Sequence, residues 1–462
     1  MKKILFITFP AKGHINAILG IAKILQQHYK IYLTGGVDPA LDLYVEKQGF
    51  EIVKLANCCP NLSFVDEVNY LKRFGKNKKD VILNRISHNE YKLRKQLLNE
   101  LIERLEPEII FLDSFIGSDF VNIYPCIKNT CTKFFLLNTM LASYLPYLPL
   151  PQSDRLPDQK LNTWFEWYLF LVKDSLRELK EKILLVGNTT RQIVRRQARQ
   201  LAIPAKYKLI DQLPLGIGFT HVKELILCPQ EMEFQPYTSP LRRVFTTRSV
   251  SRLSRENDRI YLGSQIALNR QEQINKNDIA RLVHLLNQPL TFVYISFGTL
   301  YQKQRQMLSE FISRIIDVST AFDSVQFIIS GLFNHTAAPT SNVAIFDYVP
   351  QTYVLPKASV FITHGGLNSI KESIHFCVPM IVYPVNPNYD QPGNAARVVH
   401  HKIGLRGCLH KDTRQIIKDK INDLLTNPSY RDNISRLQER TRQRYTEQTI
   451  LNIVNSELGY LN

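Results

Sequence analysis

Cysteine is scarce in this chain of 462 residues: seven, an odd number, none in a C-x-x-C pair, with Cys58 and Cys59 adjacent. That argues against a disulfide framework and is what reduced cytosolic thiols would give. No stretch of about twenty apolar residues occurs, so a membrane-spanning helix is not expected. The opening run MKKILFITFP breaks at Pro10 and Lys12, too short for the apolar core of a signal peptide. There is no DxD triplet and no His/Cys cluster at metal-ligand spacing, so no metal is expected. Repeats of solenoid period and low-complexity tracts are absent as well.

What is present is an ordinary globular composition, 44% hydrophobic and 21% charged, with an unusual excess of positive charge, +17. The excess is uneven. Residues 181–255 hold thirteen Lys and Arg against five Asp and Glu. A basic surface attracts nucleic acid, anionic lipid or acidic substrates. No nucleic-acid motif accompanies it. Plain solubility remains, or peripheral contact of the basic N-terminal half with an anionic membrane.

Short apolar runs alternate with longer helical patterns. ILFITF, IYLTG, EIVKL, EIIFLD and KFFLLN read as strands within the first 140 residues, and ELILCP as one more. Fully apolar strands between helices predict a parallel sheet covered on both faces. WFEWYLFLV is apolar almost all round, which predicts burial, a greasy pocket or a membrane face. The stretch from Pro236 to about Asn277 is polar, basic and weakly periodic, and reads as an interdomain connection. Alternation then restarts with TFVYISFG, VQFIISG, VAIFDYV, VFITHGG and MIVYPV. The pattern predicts two doubly wound α/β domains in tandem, with ligands bound beyond the carboxyl ends of the strands.

The chemistry concentrates in SVFITHGGLNSIKESIHFCVPMIVYPVNPNYDQPGNAAR, residues 359–397. A buried strand ends at His364-Gly365-Gly366, where two glycines permit a sharp turn and close approach to a ligand. Asn368 and Ser369 then open a helix whose N-terminus is an anion site. Glu372 follows one turn later on the same face and can accept from ribose hydroxyls. Asp390-Gln391 sits past the next strand and can grip sugar hydroxyls.

THGGLNSIKE, DQPGNAARV and the upstream DYVPQ and SFGT, in this order, resemble the donor-binding signature of the inverting UDP-dependent glycosyltransferases of the bacterial macrolide and plant secondary-metabolite type. The resemblance implies the GT-B fold: two Rossmann-like domains, each a doubly wound parallel sheet, facing a central cleft. It implies an acceptor domain over 1–245, a linker over 246–277, a nucleotide-sugar domain over 278–440, and a C-terminal helix, 441–462, crossing back to the first domain. By position, His364, Gly366, Asn368, Ser369 and Thr299 would hold the diphosphate. Glu372 would take the ribose, which favours UDP over dTDP. Gln351 would read the uracil and Tyr348, standing where plant members have tryptophan, would stack on it. Asp390 and Gln391 would bind the sugar. No cofactor is implied, since the UDP-sugar, expected to be UDP-glucose, is a co-substrate.

The resemblance also gives a role to AKGHINA, residues 11–17, between the first strand and the first helix. It is similar to the family's GHxNP loop, whose histidine is the general base. By the resemblance, His14 would take that role here. Asp113, at the end of the fourth strand, is the expected partner, with Asp119 the alternative. Tyr144, Trp164 and Trp167 are the candidates for a lipophilic acceptor, whether polyketide, flavonoid, carotenoid, sterol or glycerolipid. A nucleotide-sugar epimerase or hydrolase is the competing reaction, and it needs further carboxylates around the sugar.

Overall fold

The computed structural model describes residues 1–55, 58–141, 148–157, 160–211, 216–234, 259–272, 274–298, 304–331, 333 and 340–458. The apolar runs of the first half become β1 (Lys3–Ile7), β2 (Lys30–Gly35), β3 (Glu51–Lys54), β4 (Ile109–Asp113) and β5 (Lys133–Asn138). β6 (Leu209–Asp211) and β7 (Ile217–Phe219) form a small antiparallel hairpin. β8 (Glu224–Ile226) and β9 (Arg259–Tyr261) complete a seven-stranded parallel sheet ordered β3-β2-β1-β4-β5-β8-β9. The segment expected to be linker, 246–277, is therefore partly sheet, because β9 pairs with β8.

Helices α1 (Lys12–Gln26), α2 (Pro39–Lys47), α3 (Phe64–Lys72), α4 (Lys78–Ser87), α5 (Asn89–Leu105), α6 (Asp119–Ile127), α7 (Lys160–Leu184) and α8 (Thr190–Gln200) accompany this sheet. β1 is apolar and buried almost throughout because both its faces meet core: Leu5 and Ile7 on one side, Ile4 and Phe6 on the other.

The second sheet has six strands: β10 (Thr291–Ser296), β11 (Val325–Ser330), β12 (Val343–Phe346), β13 (Ala358–Thr363), β14 (Met380–Val382) and β15 (Gly404–Arg406). They are parallel, in the order β12-β11-β10-β13-β14-β15. Its helices are α9 (Lys276–Leu286), α10 (Arg305–Ser319), α11 (Gln351–Val354), α12 (Leu367–His375), α13 (Gln391–His400), α14 (Arg414–Thr426), α15 (Ser429–Arg444) and α16 (Glu447–Leu458). α16 leaves this half and packs Ile450 and Val454 into the core beside α1. Tyr29 bonds Asn455 there, and Lys223 pairs with Glu457.

The two sheets share one feature that positions everything else. In each, strand order reverses beside the first strand: β1 lies between β2 and β4, β10 between β11 and β13. Chains leaving β1 and β4 diverge to opposite faces, which opens a crevice at their carboxyl ends, and β10 and β13 do the same. The halves are tied by Lys371 donating to the Leu227 carbonyl at 3.0 Å, Arg397 pairing with Glu233 at 3.0 Å, and Tyr389 donating to Asp66 at 2.5 Å.

Two buried ion pairs brace the first half. Arg85 pairs with Glu67 at 2.6 Å, and Arg94 with Asp119 at 2.5 Å. Asp119 also accepts from Asn122 at 2.9 Å. Its carboxylate is thus committed to holding α5 on α6 and is not the partner of His14. Asp119→Ala leaves Arg94 buried and unpaired, so urea unfolding should show roughly 3–5 kcal/mol lost; an unchanged midpoint would contradict this bracing role.

Candidate active site

β1 delivers the chain to Ala11, whose extended backbone caps α1 without any side-chain hydrogen bond. His14 is therefore not in a loop but in the first turn of α1. Its Nδ1 lies 2.7 Å from Asp113 Oδ2 at the end of β4, the strand paired with β1. Thr139 Oγ1 lies 3.3 Å from the same nitrogen. Asp113 is buried and held on both oxygens: the Phe9 N–H donates to Oδ2 at 3.3 Å and the Phe115 N–H to Oδ1 at 2.9 Å. With Nδ1 so engaged, Nε2 is left to exchange a proton. The rings of Phe9 and Phe115 stand 5.1 and 5.4 Å from the imidazole and limit its rotation.

Burial alone would push the His14 pKa down. The Asp113 carboxylate outweighs that by its charge and hydrogen bond, Asp390 adds to it, and the imidazole sits above its ordinary 6.5.

Across the cleft, β13 ends at Thr363 and the chain turns through His364-Gly365-Gly366 into α12. Gly365 has φ +84°, and a Cβ there would meet Val382 at 2.5 Å, so only glycine makes this turn without strain. A Cβ on Gly366 would meet His364 Nε2 at 2.5 Å. The α12 N-terminus has no side-chain cap, so its first N–H groups are unspent. Asn368 Nδ2 donates to the Gly13 carbonyl at 2.7 Å and brings this end against the first turn of α1. Two uncapped helix N-termini thus meet at one point. Each carries roughly half a positive charge, and together they make a site for an anion.

His364 differs from His14. Burial lowers its pKa to about 4, and its Nδ1 is buried with no hydrogen-bond partner among the described residues. It is neutral at pH 7 and can serve an anion only through an N–H bond.

The remaining expected residues fall into two groups. Glu372, Gln351 and Ser369 form one network. Gln351 Nε2 donates to Glu372 Oε2 at 2.7 Å, and Ser369 Oγ donates to Gln351 Oε1 at 3.5 Å. Arg270 clamps Glu372 at 2.5 and 3.3 Å and also pairs with Glu272. A ribose reaching Glu372 must share it with Arg270, a residue of the connection that no motif marked. Beside them lies a cavity of about 430 Å³ lined by Arg270, Glu272, Pro350, Thr352 and Tyr353 among others. Tyr348 carries the Lys12 ammonium over its ring at 4.5 Å, with its hydroxyl 3.3 Å from Nζ. Burial lowers the Lys12 pKa. Lys12 too went unread, although it adjoins the glycine of AKGHINA.

The second group is Asp390 and Gln391. Asp390 accepts from Asn394 Nδ2 at 2.9 Å, and burial raises its pKa. Gln391 is turned to the backbone: its Oε1 accepts from the Val385 and Asn386 N–H groups at 2.9 and 2.8 Å. Thr299 and Tyr144 lie outside the described residues, as does the side chain of Trp164. Trp167 is buried, donates to the Leu148 carbonyl at 2.8 Å, and packs with Leu150, Met140 and Tyr389.

Comparison with known proteins fits this architecture. The chain superposes on the glycotransferase of kitacinnamycin with a TM-score of 0.66 over 98% of each chain, at 17% identity. It superposes on the spinosyn forosaminyltransferase SpnP with 0.65 over 99% of each, at 15% identity. VinC, solved in complex with dTDP, gives 0.61 over 99% of this chain and all of that one, at 13% identity. Residues 292–448 match the model for "UDP-glucoronosyl and UDP-glucosyl transferase". The chain is 34% identical over 151 residues to an uncharacterized UDP-glucosyltransferase, YdhE, of Bacillus subtilis, covering 32% of this chain and 36% of that one. It is 30% identical over 101 residues to the zeaxanthin glucosyltransferase of Pantoea ananas, 22% of this chain and 23% of that one. The matched region spans about a third or less of these relatives' length. The protein has the GT-B glycosyltransferase fold. Residues 292–448 are similar to the UDP-dependent glycosyltransferase family.

The two imidazoles should separate on titration. By NMR, His14 should titrate above 6.5 and His364 near 4. Asp113→Asn should lower the His14 pKa, because burial is then opposed by Asp390 without the Asp113 charge; a His14 pKa indifferent to Asp113 would contradict the pairing.

Proposed function

We propose that the protein is an inverting glycosyltransferase that moves a hexose from a UDP-sugar to a hydroxyl of a lipophilic small molecule. The observation that carries this reading is the meeting of the His14–Asp113 pair with the uncapped end of α12 at one cleft. A base and a site for a departing anion would then lie at the same seam, the pairing that transfer from a nucleotide sugar needs.

In the proposed reaction the acceptor O–H gives its proton to His14 Nε2. The acceptor oxygen forms a bond to the anomeric carbon as the bond from that carbon to the β-phosphate oxygen breaks, its electron pair leaving with UDP. Attack from the face opposite the leaving group inverts the centre, so an α-linked donor gives a β-glycoside. Asp113 holds the ring and stabilises the imidazolium, as the aspartate does in hydrolytic triads. The ends of α1 and α12, with N–H donors from His364, Asn368 and Ser369, offset the charge on the diphosphate. Lys12 sits close enough to add to that. Tyr348, Gln351 and Glu372 would receive the nucleoside, and Asp390 the sugar. The Gln391 carbonyl bonds leave its amide as the group free to contact sugar.

Acceptor choice would belong to the first half, which lies outside the residues matched by the family model. A carotenoid, sterol or glycerolipid taken from a membrane surface is the alternative acceptor class, and the apolar face of α7 described below favours it. Epimerase or hydrolase chemistry is less well served, since Glu272 and Glu372 both pair with Arg270.

A screen of UDP-sugars against hydroxylated acceptors, read by mass, should give a product one hexose heavier and UDP release that depends on acceptor. His14→Ala should lower kcat by on the order of 10²–10⁴ while UDP affinity stays nearly intact. Turnover unchanged by that substitution would sink the base assignment, and acceptor-independent UDP release would indicate hydrolysis.

A further inference from the structure

Helix α7 is built inside out. The residues turned toward the protein along its middle are charged, and those turned outward are apolar. Phe165, Leu169, Val172, Leu176, Leu179 and Ile183 recur at alternating spacings of four and three and fall within about 100° of arc. All are exposed, Leu176 by 53%, Leu179 by 55% and Ile183 by 74%. The helix has four acids, and none is exposed. Asp174 pairs with Arg177 at 2.5 Å and Arg191 at 2.6 Å. Glu178 pairs with Arg191 at 3.4 Å and accepts from Thr189 at 2.7 Å. Glu166 faces Arg155 at 3.7 Å. Glu181 is half-buried, among Arg177, Arg85 and Arg191. Among the described side chains of the helix, the exposed charges are Lys173, Lys180 and Lys182, which flank the ridge on both sides. Arg195, Arg196 and Arg199 of the neighbouring α8 are exposed too.

We propose that this face of α7 docks on an anionic lipid bilayer, lying in the plane of the headgroups with the ridge in the acyl boundary and the lysines on lipid phosphates. Apolar residues facing water stabilise nothing in a soluble monomer. An amphipathic helix with basic residues beside its apolar face suits the membrane interface. No helix among the described residues is long and apolar enough to cross a membrane, so the contact is peripheral. The rival occupant is a second copy, because a four-three spacing is also a coiled-coil seam. Charge decides against it: a paired copy would set lysines against lysines with no exposed acid on either helix to meet them. The inward face of α7 starts beside the cleft, where Trp167 and Phe170 pack near Tyr389 and Met140. Docking would therefore present the proposed acceptor side to the bilayer. The proposal stands on the helix alone, whatever reaction the cleft performs.

The test is co-sedimentation of the full chain with vesicles of phosphatidylcholine with and without phosphatidylglycerol. Binding should be stronger on the anionic vesicles by on the order of a hundredfold, from about three lysines at the surface, and should weaken with added salt. Leu176→Gln with Leu179→Gln should reduce binding about tenfold or more. Lys173→Gln, Lys180→Gln and Lys182→Gln together should remove the preference for anionic lipid. These side chains are exposed, so the variants should keep the wild-type melting temperature and UDP affinity. Wild-type protein that ignores anionic vesicles at low salt would overturn the proposal. So would binding unchanged by both sets of substitutions. A dimer in light scattering that the leucine substitutions convert to monomer would assign the face to a second copy instead.

Discussion

A short hydrogen bond joins the two halves at the point where their functional groups meet. Asn368 on α12 donates to the Gly13 carbonyl in the first turn of α1, and it brings two positive helix ends together. Left alone they would repel. Their meeting is favourable where an anion shares the site, which suits the place proposed for the diphosphate. The positions of the other groups follow. His14 lies two residues past Lys12 because α1 starts there. Asp113 reaches it because β4 is the strand next to β1. His364 stands at the entrance to α12 because β13 is next to β10.

Two histidines in one cleft are tuned apart by their surroundings. His14 has a carboxylate behind it and rests above its ordinary pKa. His364 has only burial and falls to about 4. In the proposed reaction, a base that collects a proton and a neutral donor beside an anion are separate tasks, and the two environments suit that division. The same economy governs the carboxylates. Asp113 is fixed by two backbone N–H groups, Asp119 is spent on Arg94, Glu372 is clamped by Arg270, and Asp390 leans on Asn394. Of these, Asp113 is the one that touches His14.

The strands were legible in sequence because both sheets are parallel and covered, which makes β1, β4, β10 and β13 continuous apolar runs. β9 (RIY) hid in a polar stretch and β15 (GLR) carries a glycine and an arginine, so neither reads as an apolar run. The GG turn and the groups after it could be placed from residue types alone, since helix-end geometry follows directly from chain order. Asp113 was the expected partner from its place at the strand end; what removes the alternative, Asp119, is a long-range fact, its contact with Arg94, 25 residues away. Arg270 and Lys12 were invisible for the same reason: their partners, Glu372 and Tyr348, lie 102 and 336 residues away. WFEWYLFLV fitted burial as well as exposure. Only the ion pairs that take α7's acids inward show which way the helix faces.

The central claim is that the ends of α1 and α12 close together on a diphosphate. Amide hydrogen exchange measures both ends at once. UDP should slow exchange at residues 13–16 and at 367–370 together, uridine should slow neither group comparably, and Asn368→Ala should weaken the protection of the α1 end first. Protection confined to the α12 end at saturating UDP would contradict the claim and leave the first half without a part in holding the donor.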